Sequence, residues 1–359
     1  MMNYVGLDVS MKETFICIED ESGKILNHGR VKTEPELIAD YLIKFMPLAK
    51  VGLESGSLSH WLTDELRKLQ IPAICIDARK MAAVLSVQVN KTDKNDARGI
   101  AEAMRCGIYR EVQPKSQESI EIGTLMRSRR ILVEQKIKLS NAVRGFLKIY
   151  GIRLGNVGEA GFSKTVRKKL SEKSASAKEG IEGLLSCYEK TREEIGKLTK
   201  RIEQIASEDE DVKLLMTIPG VGPIVGLAYK IEIDNPKRFR NSKTVGSYLG
   251  MTPKQYSSGE THRQGRISKC GSTEVRCLLN EAATTMLTRS KAWSKLKAWG
   301  LKIQRKHGFK KATMAVGRKL AVVMHRMMIE KTNFIYGDPK EEKKRSPCKN
   351  DAIGLARAI

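Results

Sequence analysis

The first third of the chain alternates short β-forming runs with helical segments, and this order restricts the fold more than any other feature. Three runs rich in β-formers come first, at 3–9, 14–19 and 25–33. The predicted elements then alternate in type: helix 35–46, strand 51–54, helix 60–69, strand 73–76 and helix 93–107. A three-stranded meander followed by alternating helices and strands predicts a mixed α/β sheet.

Four acidic residues occupy special positions in this order. Asp8 and Glu54 each end an apolar strand, and Asp93 and Asp96 stand three residues apart at a helix start. Residues at i and i+3 share a helix face. Carboxylates at strand ends that face such a pair can hold two divalent cations, an arrangement that cuts nucleic acid. The alternatives are turn residues and, for Asp93, a helix N-cap. We interpret Asp77, a further strand-end acid, as a salt-bridge or turn residue.

The charge of the chain is concentrated in its later part. Residues 1–110 contain 15 basic and 15 acidic residues, so the remaining 50 basic and 26 acidic residues carry the whole net charge of +24. A neutral part with a candidate acidic site followed by a basic body predicts metal chemistry in the first and polyanion binding in the second. The alternative is a generally basic, solvated surface.

Other features exclude several protein classes. The sequence has no apolar run of about 18 residues, so we expect no transmembrane helix. Met1 leads directly into the first strand, so we expect no signal peptide. Seven cysteines without a CxxC pair argue against a disulfide framework or a thiolate zinc site. We therefore expect a cytoplasmic protein, associated with the nucleoid.

Two long helical segments with heptad periodicity follow the predicted α/β part. The first covers 119–150 and repeats Leu125, Leu132, Leu139 and Phe146 every seven residues. The second covers 180–206 and repeats Ile181, Tyr188, Ile195 and Ile202 in the same way. Such repeats predict a coiled-coil or helical-hairpin arm, formed within one chain or between chains. The Gly-, Ser- and Lys-rich stretch 151–178 is predicted to be a long basic connection.

The rest of the chain is predicted to be mainly helical. A turn at 219–223 contains Gly220 and Gly222 between two helical runs, and it resembles a helix-hairpin-helix element that grips the DNA backbone. The alternative is an ordinary turn between packed helices. Further predicted helices are 242–249, 273–287, 290–307 and 312–330. The predicted domain boundaries are 1–115, 116–208, 209–335 and a flexible tail 336–359.

A polar loop is predicted at 250–271. It carries four basic residues that can clamp phosphates: Lys254, Arg263, Arg266 and Lys269. It also carries the sequence Ser257-Ser258-Gly259, and a serine on such a loop can attack phosphorus. A common Ser-Gly loop dipeptide is the simpler interpretation.

Taken together, these motifs resemble the DEDD-type transposases of bacterial insertion sequences. The resemblance depends on five stretches in the family's order: Gly6-Leu7-Asp8-Val9, Leu53-Glu54-Ser55-Gly56, Asn90 to Ala97, Ile218 to Gly222, and Gly250 to Lys269 with its Ser257-Ser258-Gly259. They cover about residues 3–330. The resemblance implies a ribonuclease-H/RuvC-like α/β domain, a coiled-coil arm and a mainly α C-terminal transposase domain.

The resemblance also implies chemistry and partners. Asp8, Glu54, Asp93 and Asp96 would bind Mg²⁺ or Mn²⁺, and Ser258, with Ser257 as second choice, would form a covalent phosphoserine link to DNA. A structured non-coding RNA would guide the enzyme to the element ends and target, and the protein would act as a dimer or tetramer. The main alternative is a metal-dependent nuclease of Holliday-junction type that uses water as nucleophile. A non-catalytic nucleic-acid-binding descendant and an actin-like or sugar-kinase ATPase are further alternatives.

Overall fold

The computed structural model describes residues 2–86 and 92–337. The chain divides into two compact units, Met1–Ser116 and Gln117–Ile359. Apart from its first two residues, the predicted tail 336–359 lies outside the described residues, as do the first two residues of the 90–97 motif.

The first unit contains a five-stranded mixed sheet. Its strands are β1 (Asn3–Val9), β2 (Glu13–Glu19), β3 (Ile25–Lys32), β4 (Leu48–Glu54) and β5 (Ala73–Ile76). The order across the sheet is β3-β2-β1-β4-β5, with β1, β2 and β3 antiparallel and β1, β4 and β5 parallel. The predicted mixed α/β sheet, with its meander, is therefore confirmed.

The described residues of this unit also form the helices α1 (Pro35–Ile43), α2 (Ser59–Lys68), α3 (Ala78–Leu85) and α4 (Asp93–Cys106). Helices α1 and α2 pack on one sheet face, where Val5, Leu7, Val51 and Leu53 are buried. Helix α3 was not predicted. Asp77 is its N-cap and accepts a hydrogen bond from the Arg79 amide at 2.9 Å. The Nε of Arg79 also lies 3.6 Å from the Asp77 carboxylate, which agrees with the interpretation as a salt-bridge or turn residue.

A long antiparallel helix pair begins the second unit. It consists of α5 (Gln117–Ile149) and α7 (Ala175–Glu208), and the Arg129 Nε donates to Thr199 Oγ1 across the pair at 2.7 Å. The predicted α7 stripe is buried as expected. The predicted α5 stripe is offset, because Phe146 is 48% exposed while its neighbours Val143 and Leu147 are buried.

The predicted long basic connection between these helices contains a helix that was not predicted. This stretch contains α6 (Phe162–Leu170), whose Phe162, Val166 and Leu170 are buried against α5 and α7. These three residues recur every four positions and form an apolar helix face. The lysines and arginine between them, and the surrounding Gly and Ser residues, hid this pattern.

The remainder of the second unit is mainly helical. Its elements are α8 (Glu210–Met216), α9 (Pro223–Ile233), α10 (Lys243–Tyr248), β6 (Pro253–Ser258), β7 (Thr261–Ile267), α11 (Thr273–Thr288), α12 (Lys295–His307) and α13 (Phe309–Glu330). Helices α9, α11 and α13 share one core, in which the fully buried Tyr229 donates to the Ala321 carbonyl. No helix in the described part of the chain is both long and apolar enough to cross a membrane.

Candidate active sites

Two glycines allow α4 to lie directly on the sheet. Gly6 of β1 and Gly52 of β4 are register partners on adjacent parallel strands. A Cβ atom on Gly6 would lie 2.0 Å from the Ala97 carbonyl oxygen, and one on Gly52 would lie 2.7 Å from Met104. Real Cβ atoms do not approach other atoms so closely. The helix backbone therefore approaches β1 at a distance that only glycine permits.

The same strands direct two acids toward this helix. Successive side chains of a strand point to opposite faces, so Asp8 lies on the face of Gly6 and Glu54 on the face of Gly52. Because Leu7 pairs with Leu53, Asp8 and Glu54 are the next residues along two neighbouring parallel strands. Both side chains are half-buried. The structure therefore places these two acids side by side at one sheet edge, on the face covered by α4.

Helix α4 runs in the direction opposite to β1. Its residue Arg105 lies beside Glu19, with Nε 3.7 Å from Oε2, and Glu19 pairs with Tyr4 near the start of β1. Ala97, nearer the helix start, lies over Gly6. Going back from Ala97 to the first residue of α4 covers about 6 Å. Going forward two residues from Gly6 covers about 7 Å. The helix start and the end of β1 therefore lie at the same edge.

Asp93 and Asp96 continue the sheet-facing stripe of α4. The buried residues of this stripe include Ala97, Ile100 and Met104, and positions 93 and 96 precede them at helical spacing. Asp93 is exposed and Asp96 is half-buried. The N-cap of α4 is Thr92, whose hydroxyl accepts from the Asn95 amide at 3.2 Å. The alternative of Asp93 as N-cap is therefore wrong, and both acids lie in the first turn, where the helix dipole favours negative charge.

The four carboxylate positions thus converge at one sheet edge, although their side chains do not form a ligand set. Within residues 2–86 and 92–337, no three His, Cys, Asp or Glu side chains stand close enough to hold a metal ion. All four carry oxygen donors, which are the ligands that Mg²⁺ and Mn²⁺ take. The donor chemistry therefore fits a hard cation, and side-chain rotation would have to bring the oxygens together.

The chain that follows Glu54 is held by two serines. The Ser59 hydroxyl, on a residue only 2% exposed, accepts from the Gly56 amide and donates to the Gly56 carbonyl at 2.7 Å. The Ser55 hydroxyl accepts from the Ala78 amide of α3 at 3.1 Å. These bonds fix the backbone where β4 ends and so restrict the position of Glu54.

Cys17 lies under α4 next to this edge, but its thiol is not a candidate nucleophile. It packs in a small buried cluster with Ala97 and Ala101. Burial raises the pKa of the Cys17 thiol to about 12, so it stays protonated and is a poor ligand or nucleophile near neutral pH. Burial also lowers the pKa of His28, its partner on β3, and Lys94 and Arg98 lower it further.

The second predicted site is a β-hairpin rather than the predicted loop. Strands β6 and β7 pair antiparallel, with Ser258 opposite Thr261, so that only Gly259 and Glu260 connect them. Gly259 has a φ of +53°, as tight two-residue hairpin turns require. All six residues of β6 are exposed. Ser258 therefore occupies the last paired position of a solvent-exposed ribbon.

The base of this hairpin is fixed by close backbone contacts. A Cβ atom on Gly250 would lie 2.3 Å from the Cys270 amide nitrogen, and one on Gly271 would lie 2.2 Å from the Tyr248 carbonyl oxygen. The guanidinium of the buried Arg276 donates to the carbonyls of Leu249 at 3.1 Å and Gly271 at 2.6 Å. The exposed ribbon therefore projects from a rigid base.

Strand alternation sorts the residues of the hairpin into two faces. Lys254, Tyr256 and Ser258 share one face with Arg263, which pairs with Tyr256. Ser257 points to the opposite face, which it shares with Gln255 and the paired Gln264. The four predicted phosphate-contacting residues Lys254, Arg263, Arg266 and Lys269 are all exposed. Two of these cations therefore lie on the face of Ser258.

The predicted glycine turn connects α8 and α9. Gly220 has a φ of +91°, and a Cβ atom there would lie 2.5 Å from the Ala282 carbonyl oxygen of α11. Gly222 is the N-cap of α9, and open space surrounds its Cα hydrogens. The Phe334 amide donates to the Thr217 hydroxyl at 3.0 Å, at the start of this turn. Packing against α11 thus accounts for Gly220, while phosphate contact by either glycine stays a prediction.

Comparison with known proteins decides the family. A transposase model named for DEDD transposases of IS110 type matches residues 5–152, and a model of the IS116/IS110/IS902 transposase family matches residues 212–298. The first covers all four predicted acids, and the second covers the glycine turn and the Ser258 hairpin. The chain belongs to the IS110/IS116 family of insertion-sequence transposases. This transposase is therefore an enzyme that cuts and rejoins DNA.

Curated relatives match this transposase over most of its length. The transposase of insertion sequence IS1111A from Coxiella burnetii is 28% identical over 93% of this chain and 91% of its own. The transposase of IS1328 from Yersinia enterocolitica is 26% identical over 88% and 94%. A probable family 20 transposase from Pseudomonas aeruginosa is 27% identical over 80% and 84%.

Several residues that build the sites of this transposase were not recognised from sequence. Gly6 and Gly52 each precede a strand-end acid by two residues. Only the pairing of their strands in the structure shows that both glycines make room for α4. Ser59 and Arg276 act through hydrogen bonds to backbone atoms, which leave no spacing pattern in the sequence. A glycine two residues before each strand-end acid was the one available indication that a helix crosses there.

Proposed function

We propose that this transposase cuts and rejoins DNA strands with Mg²⁺-binding carboxylates in its first unit and a serine nucleophile in its second. The observation that carries the proposal is the convergence of four acidic positions at one edge of the sheet. The family match and the presentation of Ser258 on an exposed, firmly based hairpin support it. We further propose that the first unit is a RuvC-like domain.

The acidic edge would hold the cation through Asp8, Glu54, Asp93 and Asp96. Mg²⁺, or Mn²⁺ in its place, would neutralise the charge that develops on the scissile phosphate. The chain's own contribution is positioning, because Gly6 and Gly52 set the height of α4 above the strands and Ser59 fixes the loop after Glu54. The helix start also adds favourable potential for the two first-turn acids.

Ser258 is the proposed nucleophile. Its Oγ attacks the phosphorus, a bond from Oγ to phosphorus forms, and the bond from phosphorus to the leaving deoxyribose oxygen breaks. The serine proton passes to solvent and the leaving oxygen takes up a proton. Because one phosphoester replaces another, the reverse attack by a deoxyribose hydroxyl rejoins strands without an energy source. Lys254 and Arg263, on the face of Ser258, would hold the neighbouring phosphates.

Further contacts would orient the nucleic acids. Arg266 and Lys269 on the hairpin, and the backbone around Gly220 and Gly222 in a helix-hairpin-helix role, would contact phosphates without reading sequence. By resemblance to the family, a structured non-coding RNA would specify the element ends and the target. The α5–α7 pair would serve as a coiled-coil arm in a dimer or tetramer, the assembly in which carboxylates of one subunit would act with the serine of another.

The test is cleavage of labelled element-junction DNA with the co-purified RNA and Mg²⁺, analysed on a denaturing protein gel. The wild type is compared with Ser258→Ala, Asp96→Asn and the matched control Ser257→Ala. We expect a DNA-linked protein band in the wild type and Ser257→Ala, and none in the other two. Cleavage that persists in Ser258→Ala without any covalent band would refute the serine mechanism and indicate a nuclease that uses water.

A further inference from the structure

A long part of the second unit contains no acidic residue. Between Glu281 and Glu330, 48 residues include 12 lysines and arginines and neither Asp nor Glu. This stretch therefore carries charge equal to half of the net +24 of the whole chain. It includes the last seven residues of α11, the whole of α12, and α13 up to its final Glu330. None of the residues proposed for cutting or for phosphate contact lies in it.

Five of these cations surround the turn between α12 and α13. A single residue, Gly308 with a φ of +84°, separates the two helices. The last two turns of α12 and the first turn of α13 together expose five basic side chains, here called the basic elbow: Lys302, Arg305, Lys306, Lys310 and Lys311. None of the five forms an ion pair with another residue in the described part of the chain. Phe309, at the centre of the elbow, is 38% exposed.

Helix electrostatics explains only part of this cluster. Cations in the last turn of α12, such as Arg305 and Lys306, are favoured by the negative end of the helix dipole. Lys310 and Lys311 lie in the first turn of α13, which contains no acid and has no side-chain cap. Positive charge at a helix N-terminus is unfavourable for folding. The positive charges of these two lysines therefore lie where the helix dipole disfavours them, and a bound polyanion would offset this unfavourable interaction.

The elbow is connected to the hairpin through α13. Gly317 of this helix packs against Met251, and Arg318 packs against Gly246, both near the base of the hairpin. Lys310 precedes Gly317 by seven residues, a distance of about 10 Å along the helix. Helix α13 therefore carries part of the basic elbow at its start and contacts the base of the hairpin further along.

We propose that the basic elbow is a second binding surface for the nucleic-acid backbone, apart from the two sites that cut DNA. Its five cations contact consecutive phosphates, and Phe309 stacks on an unpaired base or sugar where the strand is single. The surface has no sequence preference, because its contacts are to phosphates. Duplex DNA and RNA offer the same chemistry, and the probes below distinguish them.

The test measures binding rather than cleavage, so its result does not depend on whether Ser258 is the nucleophile. The full chain is titrated with fluorescently labelled duplex DNA, single-stranded DNA and stem-loop RNA, and anisotropy is recorded at several salt concentrations. The test variant replaces all five elbow cations by Gln. The control variant replaces five cations around α6, namely Lys164, Lys168, Lys169, Lys173 and Lys178, and so removes the same charge elsewhere.

The elbow variant should bind at least one probe more weakly than the control variant. If each cation contacts one phosphate of duplex DNA, the slope of log affinity against log salt becomes shallower by about 4.5, at about 0.9 for each contact. Loss restricted to one probe identifies the nucleic acid that the elbow holds. Equal loss in the elbow and control variants, for all three probes, would mean that binding follows net charge alone and would overturn the proposal.

A second variant separates binding from folding. Glu at positions 310 and 311 places acids where the helix dipole favours them, so K310E/K311E should have a melting temperature no lower than the wild type. Its affinity for the same probe should nevertheless fall at least tenfold at 100 mM salt. A lower melting temperature together with unchanged affinity would show that these lysines serve the fold, and would also overturn the proposal.

Discussion

The closest approach between a helix and the sheet is a sensitive point of the acidic edge. Replacing Gly6 by Ala adds a Cβ atom that would lie 2.0 Å from the Ala97 carbonyl oxygen and 2.4 Å from the Ala101 amide nitrogen. Ordinary van der Waals contact begins at 3.4 Å, so the contact to Ala97 requires α4 and β1 to separate by about 1.4 Å, the difference between these distances. Because both obstructing atoms belong to a helix backbone, no side-chain rotation can relieve the clash.

We therefore expect Gly6→Ala to lower the free energy of unfolding by about 3 kcal/mol, the upper end of the usual range for overpacking. Chemical denaturation of the full chain measures this. The same displacement moves Asp93 and Asp96 away from Asp8 and Glu54. Because a misplacement of about 1 Å can reduce a rate about 100-fold, the yield of DNA-linked protein should fall strongly even at temperatures where the variant is folded.

Gly196→Ala provides the control. Gly196 lies within α7 and has no atom within 4 Å of a Cβ position, so alanine should stabilise the helix by about 0.5–1 kcal/mol. It should leave the DNA-linked band unchanged. The reasoning would be refuted if Gly6→Ala unfolded at the same denaturant concentration as the wild type and kept full activity, because α4 would then not be held at the distance described.

Three further predictions concern the base of the hairpin, the loop after Glu54 and the buried His325 of the second unit. Arg276→Leu leaves the carbonyls of Leu249 and Gly271 without their donor, so the free energy of unfolding should fall by about 2–3 kcal/mol. The Ser268 and Lys269 amides at the hairpin base should also exchange their hydrogens faster. Unchanged exchange would contradict the proposal that Arg276 holds the hairpin base. Ser59→Ala removes both hydrogen bonds to Gly56, so the free energy of unfolding should fall by about 1–3 kcal/mol, measured by thermal unfolding. A melting temperature equal to that of the wild type would show that the loop after Glu54 does not depend on these two bonds. Burial lowers the pKa of His325, so the folded state favours its neutral form. The contribution of His325 to stability is therefore complete above the unfolded pKa of about 6.5 and declines as the pH falls below that value. Melting temperatures between pH 7 and pH 5 should therefore decline more steeply for the wild type than for His325→Gln. Parallel curves would show that burial of His325 does not make stability depend on pH in this range.

The sheet was predictable because its patterns are local. Strands β1 and β2 are rich in β-forming residues, and the turn at Asp20 to Lys24 separates β2 from β3, so their positions follow from nearest neighbours along the chain. The contact between Gly6 and Ala97 is not local, because it depends on register and on the direction of α4. The sequence therefore led to four candidate acids but did not show how α4 brings two of them to the strand ends.

The second unit was less predictable where burial and composition disagree. Strand β6 is exposed at every position, so it lacks the alternation of apolar and polar residues that indicates a strand. Helix α6 has a regular apolar face, but its four basic residues suggested a long basic connection. The offset of the α5 stripe has a similar origin. Phe146, Val143 and Leu147 are all apolar, and the packing partners of α5 decide that the last two are buried and Phe146 is exposed.

The hairpin has a consequence for the two adjacent serines. Since neighbouring residues of a strand point to opposite faces, Ser257 does not substitute for Ser258 by a change of rotamer. Exchanging them requires β6 to slip by one residue against β7, which would also turn Lys254 and Tyr256 to the other side. Only Gly259 and Glu260 connect the two strands, and a two-residue turn is too short to allow such a slip. The nucleophilic role proposed for Ser258 therefore does not pass to Ser257 on this ribbon.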